Sequence, residues 1–210
     1  MDRHKKIFVL LVGFSLLLGA CLNLKQPSSK IDFYTLEYDP PQISGLNPLP
    51  AVIRIERFSV GPIYNTNRII YRDQSFKREA YVYHKWRTDP GNLVTYLLSR
   101  DIQKSGLFKA ALSHNSGFLS CYVLEGSVDE FFESDIGKTW KAVLSLSITL
   151  VAENESNIGK RILFQKNYHA EEECMQKNPR ALAEAMSRAM AKVSQEVIID
   201  VYYYLAPIYQ

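Results

Sequence analysis

Trp140-Lys141-Ala142-Val143-Leu144-Ser145-Leu146-Ser147-Ile148-Thr149-Leu150-Val151-Ala152 is the stretch that decides the fold. Trp140, Ala142, Leu144, Leu146, Ile148, Leu150 and Ala152 alternate with Lys141, Ser145, Ser147 and Thr149. Successive side chains of a strand point to opposite faces, so the pattern predicts a long strand with one face on a core and one toward water. Cys121 to Phe132 reads as the strand before it, and Asn154 to Gly159 closes a hairpin to a third strand, Arg161 to Ala170. The three predict a meander.

Two helices are marked at their starts. Thr88-Asp89-Pro90 and Asn178-Pro179 each place a capping side chain before a proline, which suits the first helical position because its missing N–H has no partner there anyway. Beyond the first cap, Leu93 with Leu97, and Val94 with Leu98 and Ile102, form an apolar stripe that ends at Ser105-Gly106. Beyond the second, Leu182, Met186, Ala189, Val193, Val197, Val201 and Tyr204 recur at three- and four-residue steps, a seam long enough to lie across a sheet. The expectation is therefore an α+β domain: a single, mainly antiparallel β-sheet packed by two principal helices, at about 89–105 and 179–204.

Earlier segments add shorter strands. Ile31 to Tyr38 reads as the first strand, and Pro40, Pro41, Gly45, Pro48 and Pro50 make the next segment irregular. In Ala51 to Val60, Ile53 and Ile55 alternate with Arg54 and Glu56, but Phe58 and Val60 fall on the other parity, as a bulge or two-sided burial would produce. Arg68 to Arg72 and Lys77 to Tyr83 follow, joined by Asp73-Gln74-Ser75, with Tyr81 and Tyr83 expected side by side.

The amino terminus is of another kind. Lys5-Lys6 precedes an uncharged run that ends in Leu18-Gly19-Ala20-Cys21, the layout of a secretory signal. Gly13, Ser15, Gly19 and Asn23 dilute the apolar core below the roughly 20 residues that a bilayer span needs. Leu-Gly-Ala-Cys resembles the lipobox of bacterial lipoproteins, which implies removal of residues 1–20 and covalent acyl and diacylglycerol groups on Cys21. Leu22 follows the cysteine instead of the aspartate that typically retains such proteins in the inner membrane, so the resemblance implies the periplasmic face of the outer membrane. Residues 21–30 read as the lipidated terminus and a polar tether carrying Pro27 and two serines, and 31–210 as one domain. Nine tether residues reach at most about 30 Å.

The whole-chain charge of +3 falls to about +1 once Asp2, Arg3, Lys5 and Lys6 are set aside, which argues against nucleic acid. An exported setting favours a disulfide between Cys121 and Cys174, but in a meander they lie at opposite sheet ends, about 30 Å apart, against about 7 Å for a bond. Free buried thiols are the alternative. His84, His114 and His169 show no metal-ligand spacing, and there is no nucleophile elbow or phosphate-cradling loop. Glu171-Glu172-Glu173 reads as a solvated loop. These readings predict no enzyme, no metal and no cofactor beyond the lipid groups.

Basic residues gather between Arg68 and Arg87, interleaved with aromatics. Arg68, Tyr71, Arg72, Tyr83 and Trp86 are the candidate docking residues, for a protein or an anionic lipid headgroup, because arginines and aromatics supply bidentate and stacking contacts. A hairpin with solvated charges would read the same way.

The order of features resembles the ABC-type transport auxiliary lipoproteins, which include paraquat-inducible protein C. Phe33-Tyr34-Thr35-Leu36, Val60-Gly61-Pro62 to Arg68-Ile69-Ile70-Tyr71-Arg72, Tyr83-His84-Lys85-Trp86, Ser105-Gly106-Leu107-Phe108 and Leu124-Glu125-Gly126-Ser127-Val128 carry it. The resemblance implies an outer-membrane-anchored, non-catalytic subunit that works with an MCE-domain protein and an ABC transporter in moving lipid between membranes. Homo-oligomerisation is left open. The alternative is a structural or assembly lipoprotein of the envelope unrelated to lipid transport.

Overall fold

A computed structural model describes residues 30–209, and the expected signal peptide, Cys21 and most of the tether lie outside them. Residues from Ile31 onward form one compact unit. In chain order its elements are β1 (Asp32–Tyr34), β2 (Leu49–Ile55), β3 (Ser59–Val60), β4 (Arg68–Arg72), β5 (Glu79–Trp86), α1 (Pro90–Lys104) and β6 (Phe108–Ser113). Then come β7 (Tyr122–Ser134), β8 (Lys141–Ala152), the single turn α2 (Ile158–Arg161), β9 (Ile162–Glu173), α3 (Pro179–Leu205) and a closing 3-10 turn (Ala206–Ile208).

The quoted stretch is β8, and it pairs antiparallel along its whole length with β7 on one side and β9 on the other. Ala142, Leu144, Leu146, Ile148 and Leu150 have no exposed surface, as the alternation requires. The other edge of β7 is shared by three short strands laid end to end in parallel. β2 pairs at Tyr122 to Leu124, β3 at Ser127 and Val128, and β4 at Glu133 and Ser134. β6 adds to β2, and β5 then β1 add to β4. The result is an α+β fold with one nine-stranded sheet whose long ladders, and the short one between β4 and β5, are antiparallel, while the other short ladders are parallel.

Both helices start where their caps place them. Asp89 Oδ1 accepts from the Asn92 N–H at 3.0 Å, and Asn178 Oδ1 from the Ala181 N–H at 2.9 Å. α1 packs on β3, β6 and β7, α3 on β2, β8 and β9, and the helices touch each other, which closes one core. The segment between β1 and β2 straps this helical layer. Its Glu37 N–H donates to Ser187 Oγ at 3.0 Å, Tyr38 donates to Asp101 Oδ2 at 2.6 Å, and Tyr202 donates to the Asn47 carbonyl at 3.0 Å.

Several expectations are corrected. The first strand is short because the chain leaves β5 after Tyr34 to become the strap. The parity shift after Ile55 is a break between β2 and β3, at which Phe58 turns inward and is 2% exposed. Phe108–Ser113 is a strand, not merely a return of the chain. Glu171, Glu172 and Glu173 are the end of β9, paired with Val143, Ala142 and Lys141, and not a loop. A register shift in β5, between the pairs Arg68 with Lys85 and Ile70 with Ala80, separates Tyr81 from Tyr83. Tyr81 lies instead 5.0 Å from the Tyr71 ring and 5.8 Å from that of His84.

Candidate docking face on β1, β4 and β5

Strands β1, β5 and β4 stand side by side, and their register aligns Phe33 with Lys85 and Lys85 with Arg68. Paired residues of neighbouring strands project to the same side, so these three form a row across the outer face. Phe33 is 48% exposed, and the Arg87 guanidinium lies over its ring at 5.4 Å. Ile31, two residues before Phe33, is 40% exposed, and Tyr83 in the bulged part of β5 is 48% exposed. Among the described residues, Arg68, Lys85 and Arg87 have no carboxylate within ion-pairing distance.

The inner side of the same strands is aromatic. Tyr34 Oη lies 3.2 Å from His84 Nδ1, and the rings of Tyr34, His84, Tyr81 and Tyr71 follow one another at 5.0 to 5.8 Å. Tyr81 donates to Glu133 Oε1 at 3.0 Å, and Glu133 has no exposed surface. Burial, against the help of the Tyr81 hydroxyl and with the charge of Asp135 adding to it, pushes the Glu133 carboxyl up to about 7. Tyr71 donates to Glu79, which also pairs with Lys77 at 2.6 Å; these two partners hold the Glu79 carboxyl below its usual range.

The docking residues expected from sequence are therefore divided by the fold. Arg68 is exposed on the outer side with Lys85, and Tyr83 is exposed in the irregular part of β5. Tyr71 is engaged with Glu79, and Arg72 lies over the Phe132 ring at 5.1 Å, beside Arg78 at 4.9 Å. Trp86 is 1% exposed and packs edge-on against Phe131 at 5.2 Å, so it belongs to the core and not to a contact surface. Phe33 and Lys85 join Arg68 in its place. Their alignment depends on parallel pairing of β1 with β5, for which local sequence carries no signal.

Cys121 is exposed and Cys174 buried, both with free thiols. The Cys121 carbonyl accepts from the Glu153 N–H after β8, while the Cys174 N–H donates to the Trp140 carbonyl before β8, so they lie at opposite ends of the meander. Burial first, and the charge of Glu133 second, push the Cys174 thiol up to about 11.

The outer face of the meander is polar. A bulge in β7, between the pairs Val128 with Leu146 and Glu130 with Ser145, turns both Asp129 and Glu130 outward. Ser147 donates to Asp129, and Ser145 donates to Glu130 at 2.8 Å while lying 2.7 Å from His169 Nδ1. Ser145 and His169 are at hydrogen-bonding distance, but Ser145 sits mid-strand with both edges of β8 paired. Its neighbouring N–H groups are spent in ladders and cannot gather around an oxyanion. Among the described residues no group of three His, Cys, Asp or Glu is disposed to hold a metal ion, and no helix is long and apolar enough to cross a membrane.

Comparison with known proteins fixes the family. A crystal structure of a protein from Xanthomonas campestris superposes with a TM-score of 0.75 at 16% identity, covering 82% of this chain and 95% of that one. A hypothetical protein from Chlamydia trachomatis superposes with a TM-score of 0.52 at 10% identity, covering 75% of this chain and 98% of that one. These likenesses show a shared fold. No curated protein matches the chain. The family model for the ABC-type transport auxiliary lipoprotein component matches residues 34–198, from the end of β1 into the last turns of α3, and the chain belongs to that family.

Proposed function

We propose that this chain is the outer-membrane-anchored, non-enzymatic periplasmic subunit of an MCE-type intermembrane lipid transport system. The observation that carries the reading is the family match over residues 34–198 behind the motif Leu18-Gly19-Ala20-Cys21. Cys21, carrying diacylglycerol and an acyl group, holds the chain in the inner leaflet of the outer membrane. Each buried methylene contributes about 0.8 kcal/mol, so several acyl chains anchor stably where one anchors only reversibly. Residues 22–30 set the reach, and the folded domain receives the tip of a membrane-bridging MCE-domain partner.

The geometry supports docking over catalysis. The side chains with chemical potential on the outer face of the meander are strand residues, and they satisfy one another. Such a surface suits a partner of similar polarity, because a wet interface with many bridging hydrogen bonds is not thereby weak. Affinity isolation of the acylated protein tests the reading: an MCE-domain protein is recovered with it. Repeated isolation without one, at normal partner levels, would sink the proposal.

A further inference from the structure

The row Phe33, Lys85 and Arg68 is the one place where exposed apolar surface and cations without carboxylate partners coincide, among the described residues, with the point at which the chain enters the domain. We propose that this outer face of β1, β5 and β4 rests on an anionic phospholipid surface, with Ile31, Phe33 and Tyr83 at headgroup depth and Arg68, Lys85 and Arg87 on lipid phosphates. Three observations bring these together.

The first is chemical. Aromatic and aliphatic side chains flanked by basic ones match an interface that is apolar on one side and anionic on the other. Among the described residues none covers the exposed parts of Ile31 and Phe33, whereas Trp86 and Tyr34 on the other side of the same strands are packed against protein. The second is electrostatic. The mature chain is nearly neutral, so attraction to a charged surface has to be local, and three cations lacking carboxylate partners lie in one row and its flank.

The third is connectivity. β1 follows directly on the segment 21–30, and ten extended residue steps, about 35 Å, bound how far Ile31 can stand from Cys21. For orientation the inference rests on acylation of Cys21. Binding by the face itself does not, because every element that builds it lies within the compact unit that begins at Ile31. A face that the tether length keeps within reach of the anchored membrane gains effective concentration from it, so modest intrinsic affinity is enough to hold the domain in one orientation.

The test uses residues 21–210 produced without acylation, with Cys21→Ser, and vesicles of phosphatidylcholine with or without phosphatidylglycerol as the anionic lipid. Partitioning is expected to be at least about tenfold stronger on the anionic vesicles and to fall as salt is raised. The triple variant Arg68→Gln, Lys85→Gln, Arg87→Gln should lose at least about tenfold, since each basic residue near an anionic surface strengthens binding by about fivefold. Phe33→Ser alone should weaken binding to the anionic vesicles without altering the salt dependence. Both variants must melt like the parent chain.

Equal partitioning on neutral and anionic vesicles would overturn the proposal, as would a triple variant that binds lipid like the parent. A triple variant that keeps lipid binding but loses a transport partner would also overturn it, assigning the face to protein. Because the chain tested is unacylated, these outcomes are independent of whether Cys21 is the anchor.

Discussion

The hydroxyl of Tyr81 stands 3.0 Å from Oε1 of Glu133, a carboxylate with no exposed surface. Burial raises its folded-state value from 4.5 to about 7. The folded protein therefore holds a proton that the unfolded chain releases above about pH 4.5, and between the two values stability falls as pH rises. Glu133→Gln keeps an acceptor for Tyr81 and removes the titration. Urea unfolding should show the variant more stable than the parent by about 3 kcal/mol at pH 8, with the difference shrinking as pH falls through 7 to 4.5 and vanishing below about pH 4. A constant difference across that range would contradict the assignment.

Cys121 and Cys174 lie at opposite ends of the meander, one exposed and one buried with its thiol raised to about 11. Thiolate is the reactive form, so a maleimide should label Cys121 in the native protein and reach Cys174 only in denaturant. The protein should run identically on reducing and non-reducing gels. A mobility difference assignable to a Cys121 to Cys174 bond would refute this placement.

Phe58 is gripped by two glycines. A Cβ on Gly126 would stand 2.8 Å from the Phe58 ring and 2.3 Å from the Ser147 carbonyl, and one on Gly91 would stand 2.6 Å from the Phe58 carbonyl. Gly126→Ala and Gly91→Ala should each destabilise by about 1 to 3 kcal/mol, because backbone has to move in both. Chemical denaturation measures it, and an unchanged midpoint for either would show that the sheet and α1 do not close on Phe58 as described.

These packing details mark where the sequence stops being legible. Asp89-Pro90 and Asn178-Pro179 announce α1 and α3 because caps are local chemistry, and the Trp140 to Ala152 alternation announces β8 because one face of it meets water. Parallel pairing of β2, β3 and β4 along β7 leaves no such trace. It joins residues such as Tyr71 and Glu133 that are remote in the chain, and short strands buried at varied depth show no clean period. The same limit explains the site. The basic and aromatic content between Arg68 and Arg87 was visible, but the bulge in β5 and the pairing with β1 decide that Trp86 turns inward while Phe33 and Lys85 join Arg68 outside.

The strap rests on a polar anchor. Tyr38 donates to the fully buried Asp101 at 2.6 Å, and Arg100 reaches Asp101 Oδ1 at 2.8 Å while lying over the Tyr38 ring at 4.4 Å. Tyr38→Phe keeps the ring and removes one donor from a buried carboxylate, which should cost about 1 to 3 kcal/mol. Amide exchange should quicken between residues 36 and 48 before the rest of the domain. Uniform acceleration throughout would mean that the strap is not a separately held unit.

The proposed anchorage in the outer membrane depends on Cys21. Growing cells with radiolabelled palmitate and isolating the chain tests this most directly. The account predicts that the parent protein carries the label and sediments with outer membrane, and that Cys21→Ser carries none and retains residues 1–20. Labelled, fully processed Cys21→Ser protein would contradict it, as would an unlabelled parent.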